Sequence, residues 1–315
     1  MKKLFALILS VALCIVSLCA CGDSYNNNNG KLSVVATIFP PYDFSRQIAG
    51  DKIDLTMLLR PGMESHDYDP TPQDIIKIQN ADLFIYVGGE SDEWVEELLG
   101  SADKKPKKAI ALIDCVDAVE EETVEGMEQE EEEPEDSDEK EYDEHVWTSP
   151  VNAIEIVKSI SESLQSLDKD NADTYKKNTA DYCKRLSSLD AEFEDIVQNG
   201  KRNTIVFGDR FPFRYFTDRY GLEYSAAFPG CSSQTEPSAA TVSYLIDKVN
   251  EEKIPVVFCI EFSSGKIADT ICESTGAKKL EFHSCHNVTK QDFDNGVTYL
   301  QLMNNNKKVL REALA

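Results

Sequence analysis

The sequence predicts an α/β protein built as two α/β lobes with parallel sheets, joined by one long helix. Short β-rich runs alternate with amphipathic stretches from Ser33 onward, the order that layers helices over parallel strands. The same alternation starts again after Gly200. Between the two stretches, apolar residues recur at steps of three and four from Asn171 to Val197 with no Gly or Pro, enough for a helix of roughly 40 Å. The chain has 315 residues, of which 41% are hydrophobic. That is enough for a core and excludes wholesale disorder, and the length allows one large domain or two ordinary ones. Acidic side chains number 57 against 32 basic, a net charge of -25. Such a surface argues against nucleic acid and against an anionic membrane face as partners.

Residues 1–20 carry Lys2 and Lys3, then an apolar run from Leu4 to Leu18. The run is too short for a stable membrane helix and reads as an export signal. It ends Leu18-Cys19-Ala20-Cys21, which resembles the lipobox of bacterial lipoproteins with Cys21 as the acylated (palmitate-bearing) residue. Residues 21–32 are polar and without period, a flexible tether. No other segment reaches the ~18 apolar residues of a membrane span.

In the first lobe, residues 33–170, strands are predicted at Ser33–Phe39, Leu55–Leu59, Leu83–Val87 and Ala109–Ile113, the first stopped by Pro40-Pro41. A helix starts at Thr71, with Pro72 in its first position and Asp74 three residues after the cap. Residues 120–144 hold 16 Asp or Glu and one Lys, so self-repulsion predicts a disordered acidic loop. It is either a solvated loop or a cation-gathering flap, since it runs into His145. Ser149-Pro150 opens a helix to about Leu167. The linker helix occupies residues 171–199. In the second lobe, residues 200–315, strands are predicted at Thr204–Phe207, Leu222–Ala226, Val256–Ile260 and Lys279–Phe282, and a closing helix at Thr298–Leu314. No sequence repeat relates the halves.

The chain has four histidines, and each falls beyond the carboxyl end of a strand or at a helix entry, where α/β sheets bind ligands. His66 follows the second strand, His145 ends the acidic loop, and His283 and His286 follow the last strand. Imidazoles converging on one cleft would suit Zn, Mn or a neighbouring divalent ion.

Phe39-Pro40-Pro41-Tyr42-Asp43-Phe44, then Pro61-Gly62 leading to His66-Asp67-Tyr68 and Pro70, resembles the start of the zinc- and manganese-binding lipoproteins of ABC importers. Ala81 to Tyr86 is similar to that family's third strand, and His145-Val146-Trp147 with Ser149-Pro150 and Asn152-Ala153 to its second ligand loop. The likeness spans residues 33–315. It implies a metal held between two lobes that are joined by a rigid helix, with His66, His145 and His283 as ligands. His283 stands where the family usually has an aspartate, which pushes the site toward zinc. Where the family has His or Glu after the first strand of the second lobe, this chain has Arg210, and a guanidinium cannot coordinate a metal. Either Asp209 moves in as an oxygen ligand, or three histidines act with water; His286, Glu261 and Glu64 are lesser candidates.

Export permits disulfides, and Cys231 and Cys285 both fall in loops near the expected cleft. A Cys231–Cys285 disulfide bracing the His283 loop is expected; the competing reading makes one of them a thiolate ligand. Cys183, Cys259 and Cys272 read as small core residues.

The function expected is extracytoplasmic capture of Zn2+ by a monomer, lipid-anchored to the outer face of the cell membrane, and delivery to an ABC permease and its ATPase. Mn2+ is the nearer alternative cargo. A zinc hydrolase is the other class, and the chain has neither a His-Glu-x-x-His nor a Gly-x-Ser-x-Gly motif to support it.

Overall fold

The computed structural model describes residues 30–64, 68–128, 141–232 and 236–315. The leader, Cys21, His66 and residues 129–140 lie outside the described residues. Strand β1 (Leu32–Ala36) leads into helix α1 (Phe39–Ala49), which carries Pro40 and Pro41 in its first turn. The strand ends at Ala36, short of the expected Phe39, and the prolines instead sit in the first turn of the helix, where a missing N–H costs nothing. Strand β2 (Ile53–Met57), helix α2 (Pro72–Asn80), strand β3 (Leu83–Tyr86), helix α3 (Glu93–Ser101) and strand β4 (Lys108–Ala111) complete the first sheet and its cover. At the start of α2, Thr71 and Asp74 form the predicted reciprocal cap, worth about 1 kcal/mol.

Helices α4 (Pro150–Leu167) and α5 (Ala172–Gln198) follow. Then come β5 (Thr204–Phe211), α6 (Arg214–Tyr220), β6 (Glu223–Pro229), α7 (Ala239–Glu252), β7 (Val256–Cys259), α8 (Lys266–Thr275) and β8 (Lys278–Glu281). Helices α9 (Lys290–Asp294) and α10 (Tyr299–Ala313) close the chain. Among the described residues no helix is long and apolar enough to cross a membrane.

Both sheets are parallel, ordered β2-β1-β3-β4 and β6-β5-β7-β8. The two lobes therefore share one topology although their sequences show no repeat. In each, the chain steps to one side of the first strand and then crosses to the other, which leaves a crevice at the strands' carboxyl ends.

Alternation along the strands sorts the cores. Val34, Leu83 and Ile85 of the first sheet, and Ile205, Phe207, Val256 and Phe258 of the second, all belong to one central core. Their neighbours Val35 and Phe84 face a separate cluster outside the first sheet, and Val206 and Val257 another outside the second. Helix α5 lies within the central core, burying Tyr175, Tyr182, Leu186, Leu189, Phe193 and Ile196. Near its start Asn178 donates to the Ile48 carbonyl at 2.9 Å. Further along, Asp190 accepts from Arg219 and from the Tyr220 hydroxyl of α6 at 2.7 and 2.9 Å. The helix is thus bonded to both lobes.

The described parts of the acidic segment are ordered. Residues 120–128 and 141–144 are tied to the body: Glu121 and Asp143 N–H groups donate to the Glu141 and Val119 carbonyls, and Glu128 N–H to Ala227 O in the second lobe. Met127, Asp143 and Glu144 are buried. Hydrogen bonds to their backbones offset the self-repulsion on which the disorder expectation rested.

Candidate metal centre

The carboxyl ends of the strands meet in a cleft. Met63 and Glu64 enter it from the loop after β2, and His145 from the turn before α4. Arg210, near the end of β5, Gly230 after β6, and Glu261 and Phe262 after β7 line the other side, with Ser284, His286 and Asn287 after β8.

His145 is 1% exposed. Its backbone N–H donates to Asp143 Oδ1 at 2.7 Å, and its ring Nδ1 lies 3.1 Å from the same oxygen. A carboxylate there favours the Nδ1–H tautomer, in which the ring's lone pair sits on Nε2. Burial disfavours the imidazolium, but Asp143, Glu144 and Glu121 together raise its pKa above the ordinary value. Gly230 packs on the ring: a Cβ there would stand 3.3 Å from His145 Nδ1 and 3.0 Å from Phe211 O. Behind His145, burial pushes the Glu144 carboxyl up to about 7, with Asp92 adding repulsion.

His286 faces His145 edge-on, with ring centroids 5.7 Å apart, and lies 4.9 Å from the Trp147 ring. Trp147 donates its indole N–H to Ser284 O at 2.8 Å. Glu261 is fully used in holding this turn. Its Oε1 accepts from the Ser284 hydroxyl and His286 N–H, and its Oε2 from Ser284 N–H.

The structure reverses the expected order of the last two histidines: His283 does not line the cleft and His286 does. Cys285 N–H donates to His283 Nδ1 at 2.9 Å, so that nitrogen is an acceptor and the neutral ring carries its proton on Nε2. Its 3.3 Å approach to Glu261 Oε1 is then electrostatic contact, not a hydrogen bond, and neither ring nitrogen offers a lone pair.

Asp209 does not reach the cleft either. Its two oxygens accept from the Arg210 and Ile260 N–H groups at 2.9 and 3.3 Å, tying β5 to the end of β7. Burial raises its pKa against those bonds. Arg210 does line the cleft, and its Nη2 donates to Glu64 Oε2 at 2.9 Å.

Cys231 and Cys285 are free thiols, which overturns the expected disulfide. Cys285 is wholly buried and its Sγ turns toward His283 O at 3.8 Å. Cys231 is held elsewhere, by its N–H to Glu121 Oε1 at 2.9 Å. Burial raises both thiols well above their ordinary pKa, and neither lines the cleft.

Three residues escaped the sequence reading. Asp143 was hidden among many carboxylates, though its place two residues before His145 was a signal. Trp147 pins the His286 turn. Asn287 donates from Nδ2 to both Arg60 O and Met63 O at 2.8 Å, so the chain leading to His66 is anchored on the second lobe. Among the described residues no three His, Cys, Asp or Glu side chains stand close enough to enclose a metal ion.

Residues 34–313 match the family described as zinc-uptake complex component A, periplasmic. The chain belongs to this family. It is 34% identical over 312 residues to the zinc-binding lipoprotein AdcA of Streptococcus pneumoniae R6, covering 99% of this chain and 61% of that protein. The chain thus spans less than two thirds of that relative. With the high-affinity zinc uptake system protein ZnuA of Bacillus subtilis 168 it shares 33% identity over 321 residues, 100% of this chain and 99% of the relative. The Zn(II)-bound ZnuA-like domain of Streptococcus pneumoniae AdcA superposes with a TM-score of 0.74 at 32% identity, covering 90% of this chain and 99% of that domain. The family and the two-lobed cleft agree with the resemblance carried by the His66 and His145 motifs.

Proposed function

We propose that the chain captures Zn2+ in the interlobe cleft outside the cytoplasm and delivers it to an ABC permease and its ATPase. The observation that carries this reading is His145, its tautomer favoured by Asp143, facing His286 in a cleft built from strand carboxyl ends. Membership of the zinc-uptake family and the names of the relatives, a zinc-binding lipoprotein and a zinc uptake protein, support the cargo. Imidazole ligands favour zinc over manganese, and with Asp209 and Glu261 spent on backbone and hydroxyl donors, few oxygens are left to favour manganese. His66, on the loop that Asn287 anchors, is assigned as a further ligand. We assign Cys21 as the acylated anchor and the chain as a monomer with lobes at 33–170 and 200–315.

No chemistry is proposed: the relatives are named for zinc binding and zinc uptake. A central core shared by both lobes limits opening to small adjustments, so release requires the permease to disturb the cleft. Calorimetric titration of the metal-stripped full chain with zinc, and separately manganese, tests the reading. One tight zinc site that is lost in His145→Ala is expected. Equal binding by manganese would change the cargo, and unchanged zinc binding by the variant would overturn the site.

A further inference from the structure

Among the described residues, Glu64 is the cleft carboxylate with an oxygen to spare. Glu261 gives both of its oxygens to Ser284 and His286. Among the described residues Glu64 is held at Oε2, by one nitrogen of Arg210 at 2.9 Å. Arg210 has no lone pair and does not lose its proton, so in a cation site it cannot be a ligand. It can orient one. Its own side chain is 15% exposed and its Nη1 reaches Ser232 O at 3.4 Å, so it is anchored within the second lobe while Glu64 comes from the first.

Resting on the zinc reading above, we propose that Glu64 Oε1 is an oxygen ligand of the bound ion beside His145 and His286, with Arg210 as its positioning residue. The Glu64 side chain is 35% exposed and held at a single oxygen. It therefore keeps the rotamer freedom to close on an ion that the described side chains do not enclose as they stand. A carboxylate shared between a guanidinium and a metal donates less charge than a free one. That arrangement adds an oxygen ligand to the imidazoles without adding net negative charge, and it completes the site across the lobes through an ion pair.

The test uses the full chain loaded with Zn2+ for affinity and with Co2+ for its visible ligand-field spectrum. Glu64→Gln should weaken zinc about tenfold and shift the Co2+ bands toward those of an all-nitrogen set. Arg210→Met should alter the Co2+ spectrum in the parent but leave it unchanged in the Glu64→Gln background, because its effect passes through Glu64. Parent-like affinity and spectrum in Glu64→Gln would overturn the proposal, as would an Arg210→Met effect of equal size in both backgrounds. If His145→Ala and His286→Ala also bind as the parent does, the zinc site itself fails; if they lose zinc while Glu64→Gln does not, only the Glu64 assignment fails.

Discussion

The two lobes have the same strand order and opposite means of holding the cleft. The inner face of the first sheet is aliphatic, with Val34, Leu83, Ile85 and Ile110 in the central core. Its cleft residues stand on long connections stabilised by buried carboxylates, with Asp143 on His145 and Asp92 on the Val87 and Gly88 N–H groups. The inner face of the second sheet packs into a cluster of rings, Phe207 and Phe258 on its strands with Phe213, Phe216 and Phe282 beyond them, with centroids 4.9 to 6.1 Å apart in contacting pairs. Its cleft residues follow directly on strand ends. One topology thus supports a hydrogen-bonded half and a packed half, and the two should respond differently to substitution and to pH.

The contrast sets the predictions. His286→Ala should weaken zinc about a thousandfold, roughly 4 kcal/mol, while His283→Ala changes it less than about threefold. Parallel calorimetric titrations that give the two variants equal losses would remove the distinction between them. On the packed side, Phe282→Ala deletes a fully buried ring that touches four others and should cost about 3–5 kcal/mol in chemical denaturation. A loss under about 1 kcal/mol would show the ring cluster to be compliant.

On the hydrogen-bonded side, burial raises the Asp92 carboxyl from 3.8 to about 6, against the N–H bonds of Val87 and Gly88. Between those values the folded chain binds more protons than the unfolded one, so this group's contribution falls as pH rises from 3.8 to about 6 and is level above. The fall amounts to about 3 kcal/mol. Asp92→Asn keeps an acceptor for both amides and should flatten that slope in stability curves taken across the range. Asp143→Asn leaves His145 in place but weakens the hold on its tautomer, and should cost about tenfold in zinc affinity. The smallest effect is expected from deleting residues 129–140 alone, with affinity within about twofold of the parent. A large loss there would make the acidic segment part of the site.

Much of this fold was legible because strands and helices announce themselves by period. The eight predicted strands fall within a few residues of β1 to β8, and the apolar steps from Tyr175 to Ile196 mark the buried face of α5. That His145 stands at the cleft was legible from its motif. What could not be read was the direction of the turn after β8. Cys285 sits at φ 65°, a left-handed conformation that a non-glycine residue seldom adopts. It lies between His283 and His286, where the Cys285 N–H caps the one ring while the other lines the cleft. Periodicity carries no sign of such a residue. Nor does it show that Asp209, next to Arg210 in the chain, turns back on β7 instead of into the cleft.

The segment after β8 also sets the order in which the molecule can be completed. Tyr299 N–H donates to buried Asp43 at 2.8 Å, across 256 positions, and its ring packs edge-on to Phe44 at 5.0 Å. Arg46 reaches the Val297 carbonyl, and Tyr42 meets Phe293 at 5.2 Å. Helix α1, formed from the first residues of the fold, is therefore covered by nearly the last ones. Closing so long a loop is slow, so a nascent chain should carry an unfinished first lobe until α10 arrives. A copy lacking α10 should fail in the half of the molecule that is furthest from the deletion in sequence.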